Sequence, residues 1–291
     1  MQVLVTGAGG FIGRAVVARL RAAGAQVHAP GRELDLLAPQ AAAACVMRLR
    51  PSHLVHLAWI TTPGRYWEDP ANGDWVEASL ALLRAFAAAG GHHAFMAGSC
   101  AEYDWSHGAL DEATTPLRPG SRYGRCKAAL GLRALDLARA LGVTLAWGRI
   151  HFPYGPGERE QRLVPQLACR LLSGRPAATG PAAVARDFIH VDDLAAAIVR
   201  LVQAGHHGAL DLCSGHSTEV GVIARQLARL AGREDLLRLG ELPARPGEPM
   251  RLTSTPRTLR SLGWTPTVGL EDGLRQCVEV WRSRLREEVA L

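Results

Sequence analysis

Lysine is almost absent from this chain: a single one, Lys127, stands against 32 arginines in 291 residues. Codon bias accounts for the surplus of arginine. It does not account for the place of the exception, in Ser-Arg-Tyr-Gly-Arg-Cys-Lys, four residues after Tyr123. With only four tyrosines in the chain, chance rarely produces that spacing. Lysine is a compact charge on a flexible stem and arginine a broad planar fork, so a tight pocket needing a cation beside a tyrosine admits only lysine. Tyr123 and Lys127 are therefore the first candidates for chemistry.

Other shortages narrow the field. The six cysteines (Cys45, Cys100, Cys126, Cys169, Cys213, Cys277) include no Cys-x-x-Cys pair, which argues against a zinc site and against a disulfide framework. His92-His93 and His206-His207 each follow a glycine and precede a strand candidate, so they read as loop residues and no metal is expected. No run of eighteen apolar residues occurs, and no membrane span is expected. The opening Met-Gln-Val-Leu-Val-Thr-Gly lacks the charged n-region of a signal peptide, making the cytoplasm the expected location. A net charge of +6 suits an anionic partner. The arginines are spread along helices with acids between them, however, without a basic run or interleaved aromatics. An anionic small molecule fits as well, and no nucleic-acid partner is expected.

What is present is an alternation of short apolar runs with Ala/Leu/Arg helices. Strands are expected at Gln2–Thr6, Gln26–Ala29, His53–Leu57, Ala94–Ala97 and Thr144–Trp147, and helices at Ile12–Ala23, Pro39–Leu49, Asp74–Ala89 and Tyr123–Leu141. Such alternation predicts right-handed βαβ units around a parallel sheet. After Arg149 the turn-rich His-Phe-Pro-Tyr-Gly-Pro-Gly breaks the pattern. Further on lie a helix near Gln161–Leu172, a helix from Val191, a strand at Ala209–Leu212 and a Pro/Gly-rich stretch, Leu242–Pro249. The expected organisation is a dinucleotide-binding domain over 1–150, with a returning segment near 187–212. A smaller substrate lobe would come from 151–186 and 213–291.

The first strand runs into Thr6-Gly7-Ala8-Gly9-Gly10-Phe11-Ile12-Gly13. Gly7 permits a tight turn, Gly10 lets backbone N–H groups reach a pyrophosphate, and Gly13 lets the helix pack on the strand. Between a first strand and a first helix this spacing predicts dinucleotide binding, with Phe11 and Ile12 opening the helix. Cofactor choice turns on the second strand, where an acid selects NAD and a nearby Arg accommodates the 2′-phosphate of NADP. Here Gln26-Val27-His28-Ala29 leads to Pro30-Gly31-Arg32 with no carboxylate at the strand end. Arg32 makes NADP(H) the favoured cofactor, with NAD(H) as the alternative. Asp35 and Leu36, in Glu-Leu-Asp-Leu, are placed near the adenine.

The glycine loop, His56-Leu57-Ala58 after the third strand, Ser99 after the fourth, and Tyr123…Lys127 together resemble an extended short-chain dehydrogenase/reductase. More narrowly, the chain resembles the nucleotide-sugar epimerase/dehydratase/reductase family over essentially its whole length. Arg-Asp-Phe-Ile-His-Val-Asp-Asp-Leu-Ala (186–195), Arg245-Pro246-Gly247-Glu248 and Leu-Gly-Trp (262–264) carry the likeness through the second half. The resemblance implies a Rossmann-type doubly wound α/β sheet with a smaller C-terminal substrate-binding lobe. It also implies hydride transfer between nicotinamide and a sugar carbon.

By resemblance, Tyr123 is the acid/base and Ser99 hydrogen-bonds the reacting oxygen. Lys127 holds the nicotinamide ribose and lowers the Tyr pKa, while Leu57 and Ala58 flank the cofactor. Arg186, Arg245 and Glu248 would meet a nucleotide-diphosphate sugar. Helices Asp74–Ala89 and Tyr123–Leu141 resemble those of a four-helix dimer interface. Departures from the pattern narrow the reaction. Water-eliminating relatives carry an Asp-Glu pair directly after the serine/threonine position, whereas this chain has Cys100 and Ala101. Phe152 and Trp75 stand where the family usually has Asn. The leading expectation is NADPH-dependent reduction of a 4-keto-6-deoxy sugar nucleotide, followed by an NAD-dependent C4 epimerase and then by a dinucleotide-binding sensor without activity.

Overall fold

The computed structural model describes residues 1–244 and 247–289. Arg245, expected to touch substrate, lies outside the described residues. The chain opens with β1 (Gln2–Thr6), α1 (Phe11–Ala22), β2 (Gln26–His28), α2 (Pro39–Leu49), β3 (His53–His56), α3 (Asn72–Ala88) and β4 (His93–Ser99). Two short 3₁₀ turns, Cys100–Glu102 and Trp105–His107, lead to β5 (Ala109–Leu110), α4 (Arg122–Leu141), β6 (Thr144–Ile150) and β7 (Phe152–Tyr154). Next come α5 (Leu163–Leu172), β8 (Ala177–Ala178), β9 (Ala185–His190), α6 (Val191–Ala204), β10 (Gly208–Leu212), β11 (Ser217–Glu219) and α7 (Val220–Ala231). The last elements are β12 (Leu237–Arg238), β13 (Arg251–Ser254), α8 (Arg257–Ser261) and α9 (Leu270–Val289).

Six strands in the order β10-β6-β4-β3-β1-β2 form one sheet, every neighbouring pair parallel. The sixth strand is β10, which returns from the second half of the chain. Apolar residues of α1 and α6 (Val16, Leu20, Leu194, Ile198) pack on one face, and those of α2, α3 and α4 (Val46, Leu83, Phe86, Leu130) on the other. The sheet is thus doubly wound, and each fully buried aliphatic side chain contributes about 1.5–3 kcal/mol. The strand order reverses between β1 and β3, so their carboxyl ends frame the crevice where such sheets bind ligands.

A second sheet, β11-β9-β13-β5 with β7 alongside β9, belongs largely to the later half. Helices α5, α7 and α9 share their own core there (Leu167, Ile223, Leu274). No helix among the described residues is long and apolar enough to cross a membrane.

Strands β4 and β6 run further than the sequence predicts, reaching Ser99 and Ile150 instead of stopping at Ala97 and Trp147, before Gly98 and Gly148. Glycine usually weakens a strand, but here both glycines make room for bulky rings. A Cβ on Gly98 would stand 2.5 Å from Trp147 Nε1, and one on Gly148 2.6 Å from Phe95. The extension carries Ser99 and Arg149 to the edge of the crevice.

Candidate active site

The glycine loop is built as a cradle. Gly7 has φ +70°, and a Cβ there would come 2.7 Å from the Ala58 nitrogen; a Cβ on Gly13 would run into the Gly7 carbonyl. At Gly9 no described residue lies within 4 Å of the Cβ position. The N-cap of α1, Gly10, makes no side-chain capping bond, and its first turn holds no acid. The leading N–H groups therefore meet no carboxylate of their own, which suits a pyrophosphate drawn to a helix N-terminus. Phe11 and Ile12 are the first residues of α1, and Leu57 and Ala58 follow β3 beside Gly7. Arg14 donates to the carbonyls of Gly9 (2.9 Å) and Gly157 (3.0 Å), tying this loop to the segment after β7. The residues present fit a dinucleotide.

Beyond β2 the structure adds a feature the sequence reading missed. Arg32 is exposed, but Glu33 turns its carboxylate back to accept from the Gly31 N–H at 2.7 Å. Backbone hydrogen bonds at residues 33 and 31 hold that carboxyl below its usual range. A cation and an anion thus stand together past the strand end. Asp35 accepts from the Leu37 N–H at 2.9 Å, and Leu36 packs into the core with Leu4 and Leu54.

Helix α4 starts where it does because Ser121 caps it, accepting from the Gly124 N–H at 3.1 Å. Residues four apart share a helix face, so Tyr123 and Lys127 both look toward the sheet. Lys127 is only 4% exposed. Its Nζ donates to the Ala97 carbonyl at 2.8 Å and sits 3.6 Å above the Trp59 ring centroid, a cation–π contact in a dry setting. Burial drags its pKa down to about 7, against the pull of the Glu102 carboxylate.

Burial also pushes the Tyr123 hydroxyl above its ordinary value, and a hydrogen bond with the Ser99 side chain only partly offsets this. The expectation that Lys127 lowers the Tyr pKa is not met by the chain's own groups. Desolvation is the largest influence on the phenol, and the ammonium is 6.0 Å from the ring centroid and turned to Ala97 and Trp59. Ser99 and Tyr123 pair through their hydroxyls, with the phenol protonated.

Glu102, a residue not singled out by the sequence reading, anchors Ser99 from below. It is fully buried and accepts from the Ser99 N–H (2.7 Å), the Trp147 indole (3.0 Å to Oε2) and Arg149 Nε (2.9 Å). Burial is the larger influence and raises its carboxyl despite these donors. The network continues from Arg149 to the Tyr103 hydroxyl (3.0 Å), and from there to Asp211 (2.8 Å). His151 Nε2 lies 3.4 Å from Asp211; burial opposes its charge, yet Asp211 leaves its pKa raised. Cys100 and Ala101 are buried, and burial followed by Asp211 and Glu102 pushes the Cys100 thiol far up, so it offers no thiolate.

His56 is held in one tautomer. Ser79 Oγ spends its proton on the Trp75 carbonyl (2.6 Å), so it accepts from His56 Nε2 (2.8 Å), leaving Nδ1 to accept from Thr6 (2.6 Å). Burial, with Lys127 nearby, pulls this imidazole down to about 3 and keeps it neutral.

Aromatic residues wall the site. The rings of Tyr66, Trp67 and Trp59 meet Tyr123 edge-on at 5.0, 5.7 and 6.5 Å, and Trp105 and Trp75 extend the wall. Asn72 shapes the loop that carries them, accepting from the Trp59 indole (2.8 Å) and donating to the carbonyls of Tyr66 and Asp69. Arg186 and Glu248, both expected to touch substrate, bond each other at 2.7 Å. Arg186 is nearly buried and lies 5.5 Å from the Phe152 ring. Asp187 instead receives the Ser214 and Gly215 amides.

Known proteins resemble this chain in sequence and in fold. The chain is 30% identical to the GDP-6-deoxy-D-mannose reductase of Pseudomonas aeruginosa, over 99% of each chain. It is 31% identical to the dTDP-glucose 4,6-dehydratase of Mycolicibacterium smegmatis, over 58% of this chain and 52% of that protein. Among solved structures, RMD from Pseudomonas aeruginosa complexed with NADPH superposes with a TM-score of 0.85 at 26% identity, covering 97% of this chain and 99% of that one. The Thermus thermophilus UDP-glucose 4-epimerase complex with NAD gives 0.86 at 26% identity, with coverage of 97% and 99%. The model of the NAD dependent epimerase/dehydratase family matches residues 3–213. The chain belongs to the NAD dependent epimerase/dehydratase family, whose NAD(P)-dependent enzymes act on sugar nucleotides.

Proposed function

We propose that this enzyme reduces the 4-keto group of a nucleotide-diphosphate-linked 4-keto-6-deoxy sugar with NADPH. One observation carries the reading: the Ser99–Tyr123 hydroxyl pair stands in an aromatic enclosure with the phenol protonated. A ketone oxygen must gain a proton on reduction, and an acid held above neutral pH is in the donating state. The bound nicotinamide supplies the hydride. Ser99 fixes the ketone oxygen, Tyr123 protonates it, and Lys127 offers a cation to the cofactor ribose. Cys100 and Ala101 supply no acid or base at the two positions where, by the family resemblance, water-eliminating enzymes carry an Asp-Glu pair, which speaks against dehydration. The match to a reductase along the full chain supports the same reading.

Arg32 is the residue for the 2′-phosphate of NADPH. Arg32→Ala should raise KM for NADPH about 10–100-fold, the worth of a charge-assisted hydrogen bond, and leave the KM for NADH unchanged. The assay crosses nucleotide-linked keto-sugars with both cofactors. Glu33, beside Arg32, favours a second reading: an NAD-dependent C4 epimerase, since a carboxylate there suits a ribose 2′-OH and repels a phosphate. Protein that purifies with tightly bound NAD and consumes no NADPH would establish that reading and sink the first.

The same resemblance points to a homodimer through α3 and α4. Leu132, on α4, is 59% exposed and would be covered there. Light scattering that shows a monomer at working concentration would remove this inference.

A further inference from the structure

A second constellation lies at the amino-terminal ends of two inner strands of the parallel sheet, away from the crevice at their carboxyl ends. β3 begins with His53 and β4 with His93, and the two are register partners across the parallel pair. Side chains of partnered residues project to the same face, so two imidazoles 40 positions apart in sequence stack, with centroids 5.1 Å apart and planes 26° from parallel. His92 closes the group, 5.3 Å from His53 and 4.8 Å from His93. The turn entering β4 is rigid: Gly90 has φ +90°, a Cβ on Gly91 would collide with the Phe86 ring, and the His92 N–H bonds the Ser52 carbonyl at 3.2 Å. The sequence reading of His92 and His93 as plain loop residues therefore omits their partner, which only the strand register reveals.

We propose that His53, His92 and His93 form a three-imidazole site for a zinc-class divalent transition-metal ion. One ligand atom from each residue lies within 4.8 Å of the other two. Zinc–nitrogen bonds of about 2.0–2.1 Å place ligand nitrogens about 3.4 Å apart, so the three imidazoles draw closer together on binding the ion.

The hydrogen-bond chain behind His53 sets its lone pair. Ser52 Oγ donates its only proton to the Gln2 carbonyl (3.0 Å), so it must accept from His53 Nδ1 at 2.8 Å. That tautomer leaves His53 Nε2 with a free lone pair, the arrangement in which an outer partner orients a metal-bound imidazole. His93 Nδ1 is buried with no hydrogen-bond partner among the described residues.

The exposed His92 leaves the group accessible from solvent. β4 runs from His93 to Ser99, about 20 Å at about 3.3 Å per residue, so the ion would join two strands far from the reacting centre. It would stabilise the fold by binding only the native state, and it is independent of the proposed reaction.

The test uses full-length protein without a histidine tag, titrated with Zn²⁺ against a chromophoric chelator and, separately, with Co²⁺ monitored by its visible bands. The expected result is one ion per chain and a melting temperature that rises with Zn²⁺. His92→Ala, an exposed change that spares the core, should weaken Zn²⁺ binding at least 100-fold and abolish the thermal shift. Ser52→Ala should weaken binding about tenfold by freeing the tautomer, and His206→Ala should change nothing. Equal Zn²⁺ affinity in wild type and His92→Ala, or Co²⁺ bands unchanged from the aqueous ion, overturns the site.

Discussion

Tyr123→Phe should lower kcat for ketone reduction by about 10²–10⁴-fold, the range spanned by a positioned general acid. The change removes one oxygen and keeps the ring that packs edge-on against Tyr66, Trp67 and Trp59, so folding and substrate KM should hold near their wild-type values. A loss in kcat without a loss in binding is the mark of an interaction made only in the transition state. Ser99→Ala should cost less, because Tyr123 still delivers the proton. Near-wild-type turnover by Tyr123→Phe on any keto-sugar would return the residue to a packing role.

Lys127 adds a pH signature to the same assay. Its pKa falls to about 7 in the dry pocket, so the cation is present below that pH and is lost as pH rises through it. The profile of kcat/KM reports groups of the free enzyme, and it should decline above about pH 7. Lys127→Arg should abolish that decline, because a guanidinium stays charged, while lowering turnover at every pH. The ammonium is held 2.8 Å from the Ala97 carbonyl and 3.6 Å from the Trp59 ring centroid, contacts that a broader planar fork would have to rearrange.

Much of this site was readable from residue order, and the parts that were not share a cause. The cradle at Gly7–Gly13 and the Tyr123–Lys127 pair are local patterns whose geometry is dictated by one turn or one helix. Glu102 was also within reach: Ser99-x-x-Glu102 has the spacing of a capping box, and both of its hydrogen bonds form. Trp59 under Lys127, Arg186 on Glu248 and His53 on His93 bring together residues 40 or more positions apart. Such pairings depend on loop shape and strand register, which no local pattern encodes. Ala209–Leu212 was foreseen and is β10, but the strands of the second sheet escaped notice for another reason. β11 (Ser-Thr-Glu) and β13 (Arg-Leu-Thr-Ser) are short and polar, held by neighbouring strands and not by apolar runs. Glu33 was overlooked because its carboxylate reaches Gly31 only through the turn that follows β2.

The other large effect belongs to Glu102. Among the described residues its carboxylate is the sole acid paired with the buried Arg149, and it also holds the Ser99 amide and the Trp147 indole. Replacing it by alanine leaves a guanidinium without its counter-charge in a dry interior, a defect that costs about 3–5 kcal/mol. For a chain of this size that amounts to a fall in melting temperature of about 10 °C, at about 2–4 °C per kcal/mol. Glu102→Gln separates the two roles: it keeps an oxygen for the Ser99 N–H and shape for Trp147, yet strips the charge that faces Arg149. Glutamine should therefore lose much of the stability and retain more of the kcat than alanine, because Ser99 remains positioned. Melting curves and steady-state kinetics on the pair decide the matter. If alanine matches wild type in both, the buried network has no part in setting Ser99.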